Sequence, residues 1–143
     1  YGSIYGNTEN AANILAGMLA DRGVRNIAMY DVSSTHPSTM ISEAFRCSHL
    51  VIASVTYNGG IFSNMEHFLM DLKAHNLQNR TVAIMENGSW GVLSGKQMRE
   101  IIGSMKNMTV LDETVTVKSA LKEDQLVILE GMADAIVRTM DQQ

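Results

Sequence analysis

Residues 3–8 read Ser-Ile-Tyr-Gly-Asn-Thr, and an alanine-rich stretch follows from Ala11. Hydroxyls and backbone amides are dense here, yet no lysine or arginine precedes Arg22. A loop of small polar residues opening a helix presents the free N–H groups of the first turn, where the helix dipole favours negative charge. Successive loop amides can add a nest for an oxyanion. Ser3, Ile4, Tyr5, Gly6, Asn7 and Thr8 therefore form a candidate loop for a terminal phosphate held by neutral donors. The nucleoside-triphosphate motif G-x-x-x-x-G-K-[ST] needs a lysine that is absent, and G-x-G-x-x-G is absent too. The plainer reading of Ser3, Asn7 and Thr8 is helix capping alone, and it stands beside the first. An uncompensated phosphate would raise the local negative potential and disfavour adding electrons to anything bound next to it.

Two later loops share this chemistry. One is Thr56-Tyr57-Asn58-Gly59-Gly60-Ile61-Phe62, and the other is Asn87-Gly88-Ser89-Trp90-Gly91. Glycine allows close backbone approach, and the aromatic residues offer flat apolar walls. A phosphate at the first loop and a planar ring between the other two is the shape of FMN.

The elements that would position these loops alternate in period. Helices are predicted over 8–22, 39–46, 64–77, 94–106 and 123–140, and strands over 25–32, 49–55, 81–87 and 109–117. Pro37 falls in a predicted turn, and Gly23 is placed to end the first helix. The near-continuous apolar run at 49–55 suits a strand buried on both faces. The alternation implies an α/β domain: a parallel sheet with helices on both faces. Only the tail of a strand, residues 1–4, precedes the first helix, so the body of that strand is expected upstream of residue 1. In a five-stranded sheet of order 2-1-3-4-5, ligands bind where the strand order reverses, beyond the carboxyl ends of the strands. The three unusual loops follow the first, third and fourth strands of that order.

Composition sets the outer bounds. The chain has 143 residues and 45% apolar content, enough for one domain spanning 1–143 with a real core. Its net charge is −4 with no basic run, which argues against nucleic acid or an anionic membrane as partner. A single cysteine, Cys47, excludes an internal disulfide or a Cys-based metal cluster within the chain, and it fits a cytoplasmic protein. His67, Asp71 and His75 share a helix face but read as a solvated flank rather than a metal site. The 11 methionines fall mostly on apolar faces and read as adaptable core filler. Glu86, near the expected ring edge, either repels electrons from a reduced cofactor or faces solvent.

With these residues in view, the chain resembles flavodoxin, and most of all the flavodoxin-like domain of the flavodiiron proteins, or A-type flavoproteins. Ordinary flavodoxins usually carry T-x-T-G-x-T in the phosphate loop. Here the run is Ser3-Ile4-Tyr5-Gly6-Asn7-Thr8, with an aromatic third residue as in the flavodiiron pattern. Thr56-Tyr57-Asn58-Gly59-Gly60 and Gly88-Ser89-Trp90-Gly91 match it as well. The resemblance implies FMN as cofactor: Ser3 to Thr8 on the phosphate, Thr56 to Gly59 on one side of the isoalloxazine, and Gly88 to Gly91 on the other. Gly60, Phe62 and Asn87 complete the set. A backbone group near Gly59 or Gly60 would face flavin N5. Val92 stands where the family often has a second aromatic.

The resemblance also implies partners. Electrons would come from rubredoxin or an NAD(P)H-dependent reductase. They would pass to the diiron centre of a metallo-β-lactamase-like domain in the partner subunit of a homodimer, where oxygen or nitric oxide is reduced. That domain's H-x-E-x-D-H run is absent from residues 1–143, and the non-Met start fits a domain cut from a longer chain. Such a domain is a redox module, and its parent is the oxidoreductase. The rival readings are a free-standing short flavodoxin, an FMN-dependent NAD(P)H:quinone reductase, and a cofactor-free binding module.

Overall fold

The run from His49 to Val55 is apolar on both parities, so a strand there must be covered on both faces. The computed structural model shows this arrangement, and it describes residues 1–2, 7–57, 60–87, 94–111, 115–117 and 123–141. In chain order the elements are α1 (Asn7–Asp21), α2 (Pro37–Arg46), β1 (His49–Tyr57), β2 (Gly60–Ile61), α3 (Ser63–Ala74), β3 (Thr81–Asn87), α4 (Ser94–Gly103), β4 (Thr109–Val110), β5 (Val115–Val117) and α5 (Glu123–Asp141).

The sheet is organised on β1 and β3, which pair in parallel from His49 with Thr81 to Val55 with Asn87. The sheet path runs β2-β1-β3-β4, and β5 also pairs with β3. β4 and β5 both lie parallel to β3, along the single stretch 109–117 that the sequence reads as one strand. Residues 112–114, between the two pieces, lie outside the described set.

Alternate strand residues serve opposite faces, as the strand period requires. Ala53, Ala83 and Met85 pack with Ala11, Leu15 and Leu19 of α1 and with Leu129, Met132 and Ile136 of α5. Ile52, Val82 and Ile84 pack with Met40 and Ala44 of α2, Met65, Leu69 and Leu72 of α3, and Met98 and Ile102 of α4. Helices therefore cover both faces. A fully buried side chain of this size contributes roughly 1.5–3 kcal/mol, so these two contact layers outweigh any surface pairing. Arg22 does reach Asp134 at 2.7 Å, joining α1 to α5 at the surface.

Several boundaries depart from the sequence reading. Residues 25–32 do not form a strand. A strand needs a ladder, and among the described residues the backbone bonds of this segment to another extended segment are those with Tyr1: the Tyr1 nitrogen donates to Tyr30 O at 2.7 Å, and Val32 N–H donates to Tyr1 O at 2.9 Å. Pro37 begins α2 rather than sitting in a turn. Its missing N–H costs nothing at a helix start, and His36 Nδ1 accepts the Ser38 N–H at 3.2 Å. β2 is a further departure, because it pairs antiparallel with Thr56 and Tyr57. The sheet is thus not wholly parallel. Only Asn58 and Gly59 separate the paired Tyr57 from Gly60, and Asn-Gly favours a two-residue hairpin.

α1 ends as expected. Gly23 takes φ +87°, with Gly23 N–H bonded to Ala20 O and Val24 N–H to Leu19 O. α3 ends by the same device at Asn76, φ +59°, with bonds to Lys73 O and Leu72 O, so it stops at Ala74 instead of 77. α4 stops at Gly103 instead of 106. Beneath the sheet, Arg80 donates to Ala44 O at 3.2 Å and Phe45 O at 2.9 Å. A charged donor thereby satisfies the last carbonyls of α2.

His49 anchors the start of β1 to α5. Thr139 Oγ1 gives its proton to Ile136 O at 2.7 Å, so it accepts from His49 Nε2 at 2.9 Å. Nδ1 then accepts from Ser48 Oγ at 2.7 Å. Burial pushes the His49 pKa below its ordinary 6.5. The neutral ring is therefore the form the fold prefers. Its contribution is complete above pH 6.5 and is lost as pH falls from there through the lowered folded value. The drop in thermal midpoint between pH 7.5 and 5.5 should be shallower in His49→Gln than in the native chain. Equal slopes would refute this assignment.

Candidate functional site

The parallel register sets the carboxyl ends of three backbone runs side by side. Gly2 forms a parallel bridge with Ser54. Its N–H donates to Ala53 O at 2.8 Å, and its O accepts from Val55 N–H at 3.1 Å. Residues 3–6 lead from there to α1 but lie outside the described set, so Ser3, Ile4, Tyr5 and Gly6 are not placed. Asn7 opens α1. Thr8 sits in its first turn at 1% exposure, and no hydrogen-bond partner among the described residues reaches its Oγ1.

An unpartnered buried hydroxyl costs roughly 1–3 kcal/mol, and native folds rarely tolerate one without a reason. At a helix N-terminus the fitting partner is an anion. The acidic Glu9 also lies in the first turn, and its Oε1 accepts from the Tyr1 hydroxyl at 3.0 Å. Burial, then Glu9, pushes that phenol up to about 12, so it stays neutral.

The second loop leaves β1 at Thr56 and Tyr57 and returns at Gly60. Asn58 and Gly59 lie outside the described residues. Phe62 precedes α3, and its ring lies against Gly2. A Cβ at Gly2 would stand 2.8 Å from the Phe62 ring and 3.4 Å from Val32, so only glycine leaves room. Phe62 thus joins the second loop to the strand that feeds the first. Ile61 N–H donates to Gln97 Oε1 at 3.1 Å, tying the hairpin to α4.

The third loop leaves β3 at Asn87, which is buried at 5% exposure. Gly88, Ser89, Trp90 and Gly91 lie outside the described set. α4 then begins at Ser94, and Gly95 N–H donates to Glu86 Oε2 at 2.5 Å. Thr116 Oγ1 donates to Glu86 Oε1 at 2.9 Å. Glu86 is therefore neither a free charge at a ring edge nor solvent-facing. It caps α4, where a carboxylate complements the dipole, and it clamps the returning end of the loop to β3 and β5. A carboxylate inside the otherwise apolar run TVAIMEN was the available signal, since such a group needs partners. Gln97 carried no signal of its own, because polar residues are ordinary on a helix.

Within the described residues no group of three or more His, Cys, Asp or Glu converges as a metal site. No helix among them is long and apolar enough to cross a membrane. Cys47 follows α2, half-buried and unpaired with any other cysteine. His75 Nδ1 bonds the Asp71 carbonyl at 2.8 Å, a helix-end contact.

An open, largely parallel α/β sheet whose three candidate loops start from the carboxyl ends of neighbouring backbone runs defines the class. The flavodoxin family model matches residues 1–125, and the chain belongs to that family. The family implies a flavin cofactor. A curated relative, an uncharacterised protein of Methanocaldococcus jannaschii, is 24% identical over 126 residues, covering 88% of this chain and 32% of its own. Rubredoxin oxygen:oxidoreductase from Desulfovibrio gigas superposes with a TM-score of 0.93 at 25% identity, over 99% of this chain and 35% of that one. A flavodoxin from the domain Archaea gives 0.84 at 18% identity, over 97% of this chain and 94% of that one. The chain thus spans about a third of the first two relatives and nearly all of the third.

Gly95 tests the clamp. A Cβ there would stand 2.7 Å from Glu86 Cδ. Gly95→Ala should therefore destabilise the protein by about 1–3 kcal/mol in chemical denaturation, as overpacking does. Glu86→Ala should relieve the clash, so the double variant should lose less than the sum of the two single variants. Additive losses would show that the two residues do not meet.

Proposed function

We propose that this chain is an FMN-binding electron-transfer domain, and that it delivers electrons to the diiron centre of a flavodiiron oxygen or nitric oxide reductase. The carrying observation is the unpartnered Thr8 hydroxyl, buried in the first turn of α1. A phosphate ester would supply the missing acceptor. The residues fit that group: a helix start, a buried donor, and no basic residue before Arg22. FMN, when bound, supplies the one- and two-electron chemistry.

The chain's own residues bind and orient. Ser3, Tyr5, Gly6, Asn7 and Thr8 hold the phosphate, with Ile4 in the loop. Thr56 to Gly60 wall one side of the ring, and Asn87 to Gly91 the other. Phe62 acts by packing under the first loop at Gly2. The carboxylates of Glu9 and Glu86 stand at the starts of α1 and α4. Glu86 is engaged by Gly95 and Thr116, so Glu9 and the lack of a basic residue before Arg22 are what would make the phosphate loop negative and disfavour reduction of what is bound.

The full order 2-1-3-4-5 belongs to the same reading. It is supported by the bridge of Gly2 to Ser54 on one side and the bonds of Tyr1 to Tyr30 and Val32 on the other. Support for the flavodiiron assignment is the match over 99% of this chain to the rubredoxin oxygen:oxidoreductase. The donor would then be a rubredoxin or an NAD(P)H-dependent reductase, the acceptor a diiron domain in the partner subunit of a homodimer, and the setting the cytoplasm. The second reading is a free-standing flavodoxin, favoured by the 94% coverage of the archaeal flavodoxin.

Two measurements test the core of this. Protein mixed with FMN should show two visible flavin maxima and a heat of association by calorimetry, and silence in both would end the proposal. Thr8→Val should weaken FMN at least tenfold, about 1.4 kcal/mol, while leaving riboflavin affinity unchanged. Equal loss for both ligands would remove Thr8 from the phosphate.

A further inference from the structure

The hairpin after β1 returns through only two residues, Gly60 and Ile61, before Phe62 leads into α3. Antiparallel partners alternate between pairs that exchange backbone hydrogen bonds and pairs that do not. Ile61 N–H donates to Gln97 Oε1 at 3.1 Å, so its pairing with Thr56 is of the second kind. That leaves Tyr57 with Gly60 as the pair that closes the ladder. A two-stranded ribbon this short does not hold its own position. Ile61 is 6% exposed and shares a core cluster with Met65, Met98 and Ile102. Its N–H, which β1 does not take, therefore has little access to water and needs a partner within the protein.

Gln97 supplies that partner from a separate element. A side-chain amide can present either end, and a backbone N–H selects the oxygen. Two positions earlier on the same helix, Gly95 N–H donates to Glu86 Oε2 at 2.5 Å. The first turn of α4 thus has two arms. One runs through Glu86 to the end of β3, which the third loop leaves. The other runs through Gln97 to the limb on which the hairpin returns. The hairpin cannot shift against the end of β3 without breaking one of them.

We propose that Gln97 is a positioning residue for the flavin ring, its side-chain oxygen fixing the hairpin wall against the wall that follows β3. This rests on the FMN reading above. Thr8, at the start of α1, serves the phosphate end of the ligand, whereas Gln97 acts on the ring end through Ile61. Loss of the Gln97 bond therefore weakens a flavin with a phosphate and a flavin without one by the same factor. The role is that of an acceptor, not of a packing group. A methionine at this half-buried position keeps the length, the volume and the helix propensity but has no such oxygen, and a glutamate keeps the oxygen.

The experiment compares Gln97→Met and Gln97→Glu with the native chain. Without ligand, amide hydrogen exchange at Ile61 should be at least tenfold faster in Gln97→Met, a larger factor than at Ile84 in the central strand, which reads global opening. In fluorescence titrations FMN and riboflavin should both bind at least tenfold more weakly to Gln97→Met, by equal factors. Gln97→Glu should stay within threefold of native for both. Native-like binding by Gln97→Met, or an equal loss in Gln97→Glu, would overturn the proposal and leave the FMN reading standing. A loss confined to FMN would put Gln97 at the phosphate and overturn it too. A native chain that binds neither flavin would overturn the FMN reading, and this proposal with it.

Discussion

The parallel pairing of β1 with β3, seven residue pairs from His49–Thr81 to Val55–Asn87, is the constraint on which everything else in the molecule rests. Parallel strands must all end on one edge, so whatever follows them is delivered to one place. Val55 and Asn87, near the ends of β1 and β3, are neighbours for that reason. Gly2, bridged to Ser54 near the end of β1, brings the first loop to the same edge. Slipping β1 by one residue against β3 would also turn its side chains over, sending Ala53 toward α3 and α4 and Ile52 toward α1 and α5. Putting an alanine where an isoleucine packs, and the reverse, makes that slip costly, so packing and loop placement enforce each other.

At the start of α1 the candidate anion site offers neutral donors, with no basic residue before Arg22. Neutral dipoles are worth less individually than an ion pair, but they are fixed by the helix and need no reorganisation. An acceptor at Thr8 would recover the burial cost of its unpartnered hydroxyl. The same economy has an electronic result. In the proposed reading an uncompensated phosphate beside Glu9 would repel added electrons and tune a bound flavin toward giving them up.

Three contacts tie together the described elements that border the candidate loops. Phe62 presses on Gly2, Gln97 accepts from Ile61, and Glu86 joins Gly95 to Thr116. Each contact joins two separate elements, so the described residues at the ends of the three loops share one frame. Function on loops carried by a rigid scaffold is the usual division of labour in such folds.

Much of this was legible in the residue order. The helices α1, α3 and α5, the strand 81–87, and the apolar faces built on Leu15, Leu69 and Met132 follow from period alone, because burial of a stripe is a local pattern. Gly23 as a helix end was legible for the same kind of reason, a backbone shape that only some residues adopt cheaply. The candidate loops were also legible, since glycine, hydroxyl and aromatic residues were grouped at three strand ends. Three things were not. Residues 25–32 have strand chemistry but form no strand, because a strand exists only with a partner, and partners are chosen in three dimensions. The role of Glu86 depended on Gly95 and Thr116, nine and thirty positions away. The Thr8 hydroxyl, without a partner among the described residues, became visible only in the fold, where Thr8 is buried away from water. Local pattern determined the elements and marked the loops. Only long-range packing decided which donors were left without a partner, because desolvation is a property of the assembled molecule.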